Sequence, residues 1–346
     1  MRALLLVILL ACGSKAQEPA SPIAASTEVR VDRRVELLSF VNALAGFKEY
    51  TIGQTNQYRT DFVNHFRPFV NHAAVQKARK LRAEHGIGYD APMIFAVHLD
   101  DELKLVNAAE LPSLDKRWTG VDAEAYAAEL RAFAADSKLD EFMVAHKDHY
   151  AKLETGFRAA VDAEKPVEWF DAVFGKRERA RYTVVPSPMT GTSNFGVRAT
   201  LPDGTLHMYQ LISIDTPTGL PVVNDDLVYL LVHEMAHSYI NPVLEQHAAA
   251  LGPPAEKLFA QVKTQMEKQA YPSWQIFLNE SVVRATTIVY LGDKKGSSTV
   301  AVALDRELAA GFRWTPELVT LMRAYQKDHT DYVPRLVALL TELGQR

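Results

Sequence analysis

Read for the spacing of its apolar positions, the chain is written mostly in the helical period. Residues 56–85 and 121–163 repeat apolar positions every three to four residues among charged ones, the spacing that lays one stripe along one face of a helix. The longer stretch predicts two helices broken near Asp136 and Ser137. VRVDRRVELLSFVNALAG (29–46) opens like a short strand and continues as an amphipathic helix, whereas APMIFAVHL (91–99) is an apolar run that fits either element. The period changes at Arg181. RYTVVPSPM, NFGVRATLP and LHMYQLISID are short runs rich in Val, Thr, Tyr and Ile, separated by Pro, Gly and Asp-Gly, and they predict two or three antiparallel strands. Helical spacing returns over 225–240, 255–270, 273–291, 302–311 and 315–343. The fold class that follows is α+β and mostly helical, with a small antiparallel sheet just ahead of the helix over 225–240.

Composition adds bounds. The chain has 346 residues and is 48% hydrophobic, enough for a sizeable core. We expect one unit over 29–346, mainly helical over 29–180 and carrying the sheet and the helices that follow it over 181–346. A net charge of −4 gives no footprint for nucleic acid. The one cysteine, Cys12, closes the opening MRALLLVILLAC: a positive Arg2, then an apolar segment too short to span a bilayer. LLAC followed by GSK resembles the lipobox of bacterial lipoproteins. That resemblance implies a signal peptide over 1–12, acylation of Cys12, and anchorage to the bilayer of the cell envelope; an ordinary secretory signal with an incidental cysteine is the alternative. Residues 13–28 are small, polar and Pro-containing, and read as a flexible tether.

The chemistry concentrates in LVHEMAHSYINP (231–242). His233 and His237 are four apart, so on a helix both face one ion, and Glu234 stands about 100° round the wheel. Two such imidazoles are the helical ligand pair of a zinc peptidase, with the glutamate as general base for the metal-activated water. The helix has hardly any polar face, and burying an imidazole pair and a carboxylate without partners costs several kcal/mol. A catalytic zinc takes a third protein ligand. The position six after His237 is Val243, which excludes a third histidine there. Glu245 and His247 lie past Asn241-Pro242, where we expect the helix to end. Glu280, in the apolar WQIFLNESVVRAT (274–286), is the preferred third ligand. Arg284, the only other charge in that segment, lies one turn on and would orient its carboxylate; a Glu280–Arg284 pair with no metal is the alternative. His146 and His149 read as a charged surface helix. Tyr239, Tyr271, Tyr325, His329 and Tyr332 are each chemically able to stabilise an oxyanion, and the sequence does not choose among them.

HExxH followed on a second helix by Asn279-Glu280 is similar to the gluzincin clan, to which thermolysin and the aminopeptidases belong. More closely, VELLSFVNALAGFKEY, HGIGYDAPM, the NFG strand, HEMAHSYINP and NESVVRA resemble a bacterial domain-of-unknown-function family, number 4932, from about residue 29 to 290. The resemblance implies a zincin-like catalytic core and a zinc-dependent peptidase, and supplies no substrate. The expected function is a Zn2+-dependent metallohydrolase acting on peptides. A catalytically inactive, metal-stabilised surface binding module and a zinc hydrolase of non-peptide amides are the rival readings.

Overall fold

A computed structural model describes residues 27–345. The expected signal peptide, with Cys12, and nearly all of the tether lie outside the described residues. The last two tether positions, Thr27 and Glu28, belong to a strand, β1 (Thr27–Val29).

Four strands form one sheet in the order β1-β2-β4-β3, with β2 at Ala180–Ser187, β3 at Phe195–Thr200 and β4 at Leu206–Ser213. The molecule is mostly helical around it, as expected of an α+β chain. The expectation of an antiparallel sheet is corrected: β1 runs parallel to β2 and β2 parallel to β4, and only β3 is antiparallel to its neighbour. Period-two patterning reports which face a side chain takes, not the direction of the neighbouring strand. After β2 the chain skips one place, runs back as β3, and returns as β4 through the Asp203-Gly204 turn into the gap beside β2. β2 and β4 are buried on both faces along most of their length, the polar Thr183, His207 and Gln210 included, whereas the edge strand β3 alternates buried and half-buried positions.

Helices cover both faces of the sheet. Asp225–Gln246, the histidine helix, packs on β3 and β4 from one side, and Trp274–Lys295, the glutamate helix, packs behind it. Helix Ala91–Val97 packs on the other face of β3, with helix Arg33–Leu44 behind. The undecided 91–99 run is thus helical. Helix Arg33–Leu44 is not amphipathic: Arg34 through Asn42 are all buried, Glu36 included, because it is enclosed by helices on several sides. The 121–163 stretch holds three helices, Ala123–Asp136, Leu139–Ala145 and Lys147–Glu164, with a second break at His146. Nor are its histidines a plain surface face: His146 bonds Asp61 and the Phe142 carbonyl, and His149 stacks on Tyr58. Residues 315–343 form two helices, parted by the left-handed backbone of His329 (φ 50°).

One boundary bears directly on the site. The histidine helix does not end at Asn241-Pro242; it runs through Pro242 to Gln246. Proline removes the N–H that would serve the carbonyl four residues back, here that of Ser238. The guanidinium of Arg177 donates to that carbonyl instead, at 3.0 Å.

Candidate metal centre

The histidine helix starts cleanly. The Asn224 side chain accepts the Leu227 N–H at 3.0 Å, and Asp225 and Asp226 complement the helix dipole in the first turn. Two turns on, His233 and Glu234 are buried and His237 is half-buried. The glutamate helix is capped by Ser273 and delivers Glu280 from across the helix pair.

The three expected ligands converge. His233 Nε2 and His237 Nε2 are 3.3 Å apart. Glu280 Oε2 lies 3.5 Å from the first, and Oε1 lies 3.3 Å from the second. Among the described residues these three are the one group of imidazole, thiol and carboxylate side chains close enough to share an ion. Glu245 and His247 are not part of it. His237 Nδ1 faces Asn241 Oδ1 at 3.2 Å, which places its proton on Nδ1 and leaves the Nε2 lone pair for the cluster. His233 Nδ1 is buried with no hydrogen-bond partner among the described residues, and the His233 ring stacks on Tyr229 at 5.8 Å.

Three charged groups crowd this space, and their proton affinities show it. Burial pushes the Glu234 carboxyl up, against the pull of both imidazoles. Loss of solvent pushes Glu280 the same way, yet the two imidazoles hold it well below the usual carboxylate range. Burial lowers His237, but hydrogen bonding and charge from Glu280 more than offset this and raise it to about 9. An imidazolium cannot bind a cation, so a metal would displace that proton.

Arg284 is placed as expected, with Nη2 3.3 Å from Glu280 Oε2. Its shorter contact, which the sequence reading missed, is Nη1 to the fully buried Glu307 at 2.5 Å. Glu307 also accepts the Tyr229 hydroxyl at 2.7 Å. Arg284 Nη2 donates to the Tyr271 hydroxyl at 3.1 Å. Burial, then the Glu280 carboxylate, push the Tyr271 phenol up to about 12, so it stays protonated beside the cluster. The other oxyanion candidates lie elsewhere. Tyr239 bonds Tyr182 and Asp171, while Tyr325 and His329 pack against Phe174 and Val173. A signal for part of this was present: Tyr229, His233, His237 and Asn241 are spaced by four and share one helix face.

β3 borders the site. Gly196 packs on the histidine helix, where a β-carbon would meet the Glu234 carbonyl oxygen at 2.6 Å and His237 Cβ at 3.3 Å. Odd-numbered residues of β3 bond β4, so the main chains of Gly196, Arg198 and Thr200 face the outer edge. Glu110 and Asn107 take the N–H and carbonyl of Thr200. Among the described residues nothing takes those of Gly196 and Arg198.

The model of the family described as Domain of unknown function (DUF4932) matches residues 27–342. No curated protein and no solved structure matches the chain.

Proposed function

We propose that this chain, which belongs to the DUF4932 family, is a zinc-dependent metallohydrolase of peptide bonds with a gluzincin-like core. The observation that carries the reading is the convergence of the three ligand side chains. Bonds of 2.0–2.2 Å in a tetrahedral zinc site put neighbouring ligands about 3.3–3.6 Å apart; the two imidazole Nε2 atoms stand 3.3 Å apart, and the Glu280 carboxylate lies across them, Oε2 3.5 Å from His233 and Oε1 3.3 Å from His237. A buried pair of facing Nε2 atoms beside a carboxylate is otherwise poorly compensated.

When bound, the zinc would supply Lewis acidity and bring a water's pKa to about 7. The chain's own residues do the rest. Glu234, beside the ligands but not one of them, takes a proton from the attacking water on its carboxylate and hands it to the leaving nitrogen. Its raised proton affinity suits a group that must both accept and return a proton. The Tyr271 hydroxyl donates to the oxygen that becomes negative in the transition state. Arg284 holds Glu280 and Tyr271 in register, and Asn241 fixes the ring of His237. The open rungs of β3 hold an extended substrate by strand addition. Acylation of Cys12 would keep the whole unit at the envelope membrane.

The test is zinc stoichiometry measured alongside cleavage of a broad peptide library. Wild type should hold one zinc and cleave. Glu234→Gln should keep the zinc and lose about 10²–10⁴-fold in rate, whereas His237→Ala should lose the zinc. One tightly bound zinc with no cleavage by wild type would overturn the peptidase reading in favour of a binding module or a non-peptide substrate.

A further inference from the structure

Arg198 stands two residues from Gly196 on β3, so both side chains take the same face of the sheet. That face is the one against the histidine helix, where Gly196 meets Glu234 and His237. Across the ladder Arg198 pairs with Met208, whose sulfur lies 3.2 Å from the same Arg177 that serves the Ser238 carbonyl. The Arg198 rung therefore sits about one helical turn past Glu234, level with Ser238 and next to the rung of Gly196 that meets Glu234 and His237.

At that place Arg198 is half-buried. Among the described residues no carboxylate, carbonyl or aromatic ring partners it. The neighbouring cations are already engaged. Arg177 holds the Ser238 carbonyl and covers the Tyr239 ring at 4.1 Å, and Arg284 is shared among Glu280, Glu307 and Tyr271. Glu110, the acid at the end of β3, is committed to Thr200 and His98. A guanidinium that has given up part of its hydration, with no counter-charge supplied by the fold, is complemented by a carboxylate taken in two parallel hydrogen bonds. The open stretch of the edge is short, since Thr200 is closed off. A peptide held on Gly196 and Arg198 thus has only the residues next to its scissile bond within reach of this side chain.

We infer that Arg198 is a specificity determinant that selects peptides bearing a carboxylate close to the bond to be cut. The inference rests on the peptidase reading, and its test reads binding so that the two fail separately. Calorimetric titration uses zinc-loaded Glu234→Gln protein and three hexapeptide pools, identical but for one Glu, Gln or Lys, each with a free or an amidated C-terminus. The Glu pool should bind roughly 10–100-fold more tightly than the Gln pool. Adding Arg198→Gln should erase that preference, Arg198→Lys should retain part of it, and Arg198→Glu should turn it toward the Lys pool. A loss of affinity on amidation that is equal in the Glu and Gln pools and disappears with Arg198→Gln would assign the recognised group to the peptide's C-terminus; a Glu preference that survives amidation assigns it to a side chain. Equal binding of the Glu and Gln pools with no loss on amidation, or a preference that survives Arg198→Gln, overturns the inference. If the preference behaves as stated while wild type cleaves no peptide, the peptidase reading fails and the carboxylate site stands.

Discussion

Gly196 lies so close to Glu234 that a β-carbon on the strand residue would stand 2.6 Å from the backbone carbonyl oxygen of the helix residue. This contact sets the distance between the edge strand and the proposed general base. Neither partner can yield easily, because one is ladder backbone and the other helix backbone. Gly196→Ala should push β3 away from the histidine helix. We expect it to cost about 1–3 kcal/mol of stability in urea unfolding. It should also lower peptide cleavage while zinc content holds, since the three ligands lie on the two helices. Unchanged stability and activity would mean that the strand moves freely over the helix.

Tyr271→Phe removes the hydroxyl that Arg284 holds beside the cluster. If that hydroxyl serves the oxyanion, kcat should fall by about 10²–10³-fold with KM and zinc content little altered. Steady-state kinetics on any cleaved library peptide reads this. A change confined to KM would give Tyr271 a binding role only.

Glu307 is fully buried and carries the charge that balances Arg284. Glu307→Ala would leave that guanidinium with Glu280 and Tyr271 only and take the acceptor from the Tyr229 hydroxyl; breaking a buried pair from one side costs up to about 3–5 kcal/mol. Glu307→Gln, which keeps an acceptor for the Tyr229 hydroxyl, should cost less. Urea midpoints for the two variants test the order.

Glu36 is completely buried in helix Arg33–Leu44, and burial raises its carboxyl from an ordinary 4.5 to about 8, despite the hydrogen bond donated by Tyr58. The folded protein therefore holds this proton more tightly than the unfolded chain does. Its contribution is fully present below pH about 4.5 and is lost as pH rises toward about 8. Glu36→Gln cannot ionise, so its stability should fall less than wild type's over that window. Parallel slopes in denaturation curves taken across the window would show that Glu36 does not titrate there.

Cys12→Ala should release the protein from membranes if the lipobox is acylated, and wild type should partition with them. Fractionation and the mass of the mature N-terminus decide it. Equal solubility with cleavage at one common bond would leave an ordinary secretory signal.

His233, Glu234 and His237 were readable in advance because their relation is local: any helix through HEMAH puts the imidazoles one turn apart on one face. The Glu280–Arg284 pairing was readable for the same reason. What separates a candidate metal centre from two helices with buried polar groups is the approach of Glu280 to the two histidines, and packing between the histidine and glutamate helices brings that about. Packing also brought Tyr271 against Arg284 beside the cluster, supplied Glu307 from a third helix, and put β4 into the gap that makes the sheet mixed. The histidine helix shows the division within a single element. Its sequence carries a stop at Pro242, yet the helix runs on to Gln246, and Arg177, 61 positions before Ser238, donates to the Ser238 carbonyl that the proline leaves unserved. Periodicity and spacing act over a few residues and are written along the chain; hydrogen-bond partners that arrive from distant segments exist only once the chain has packed.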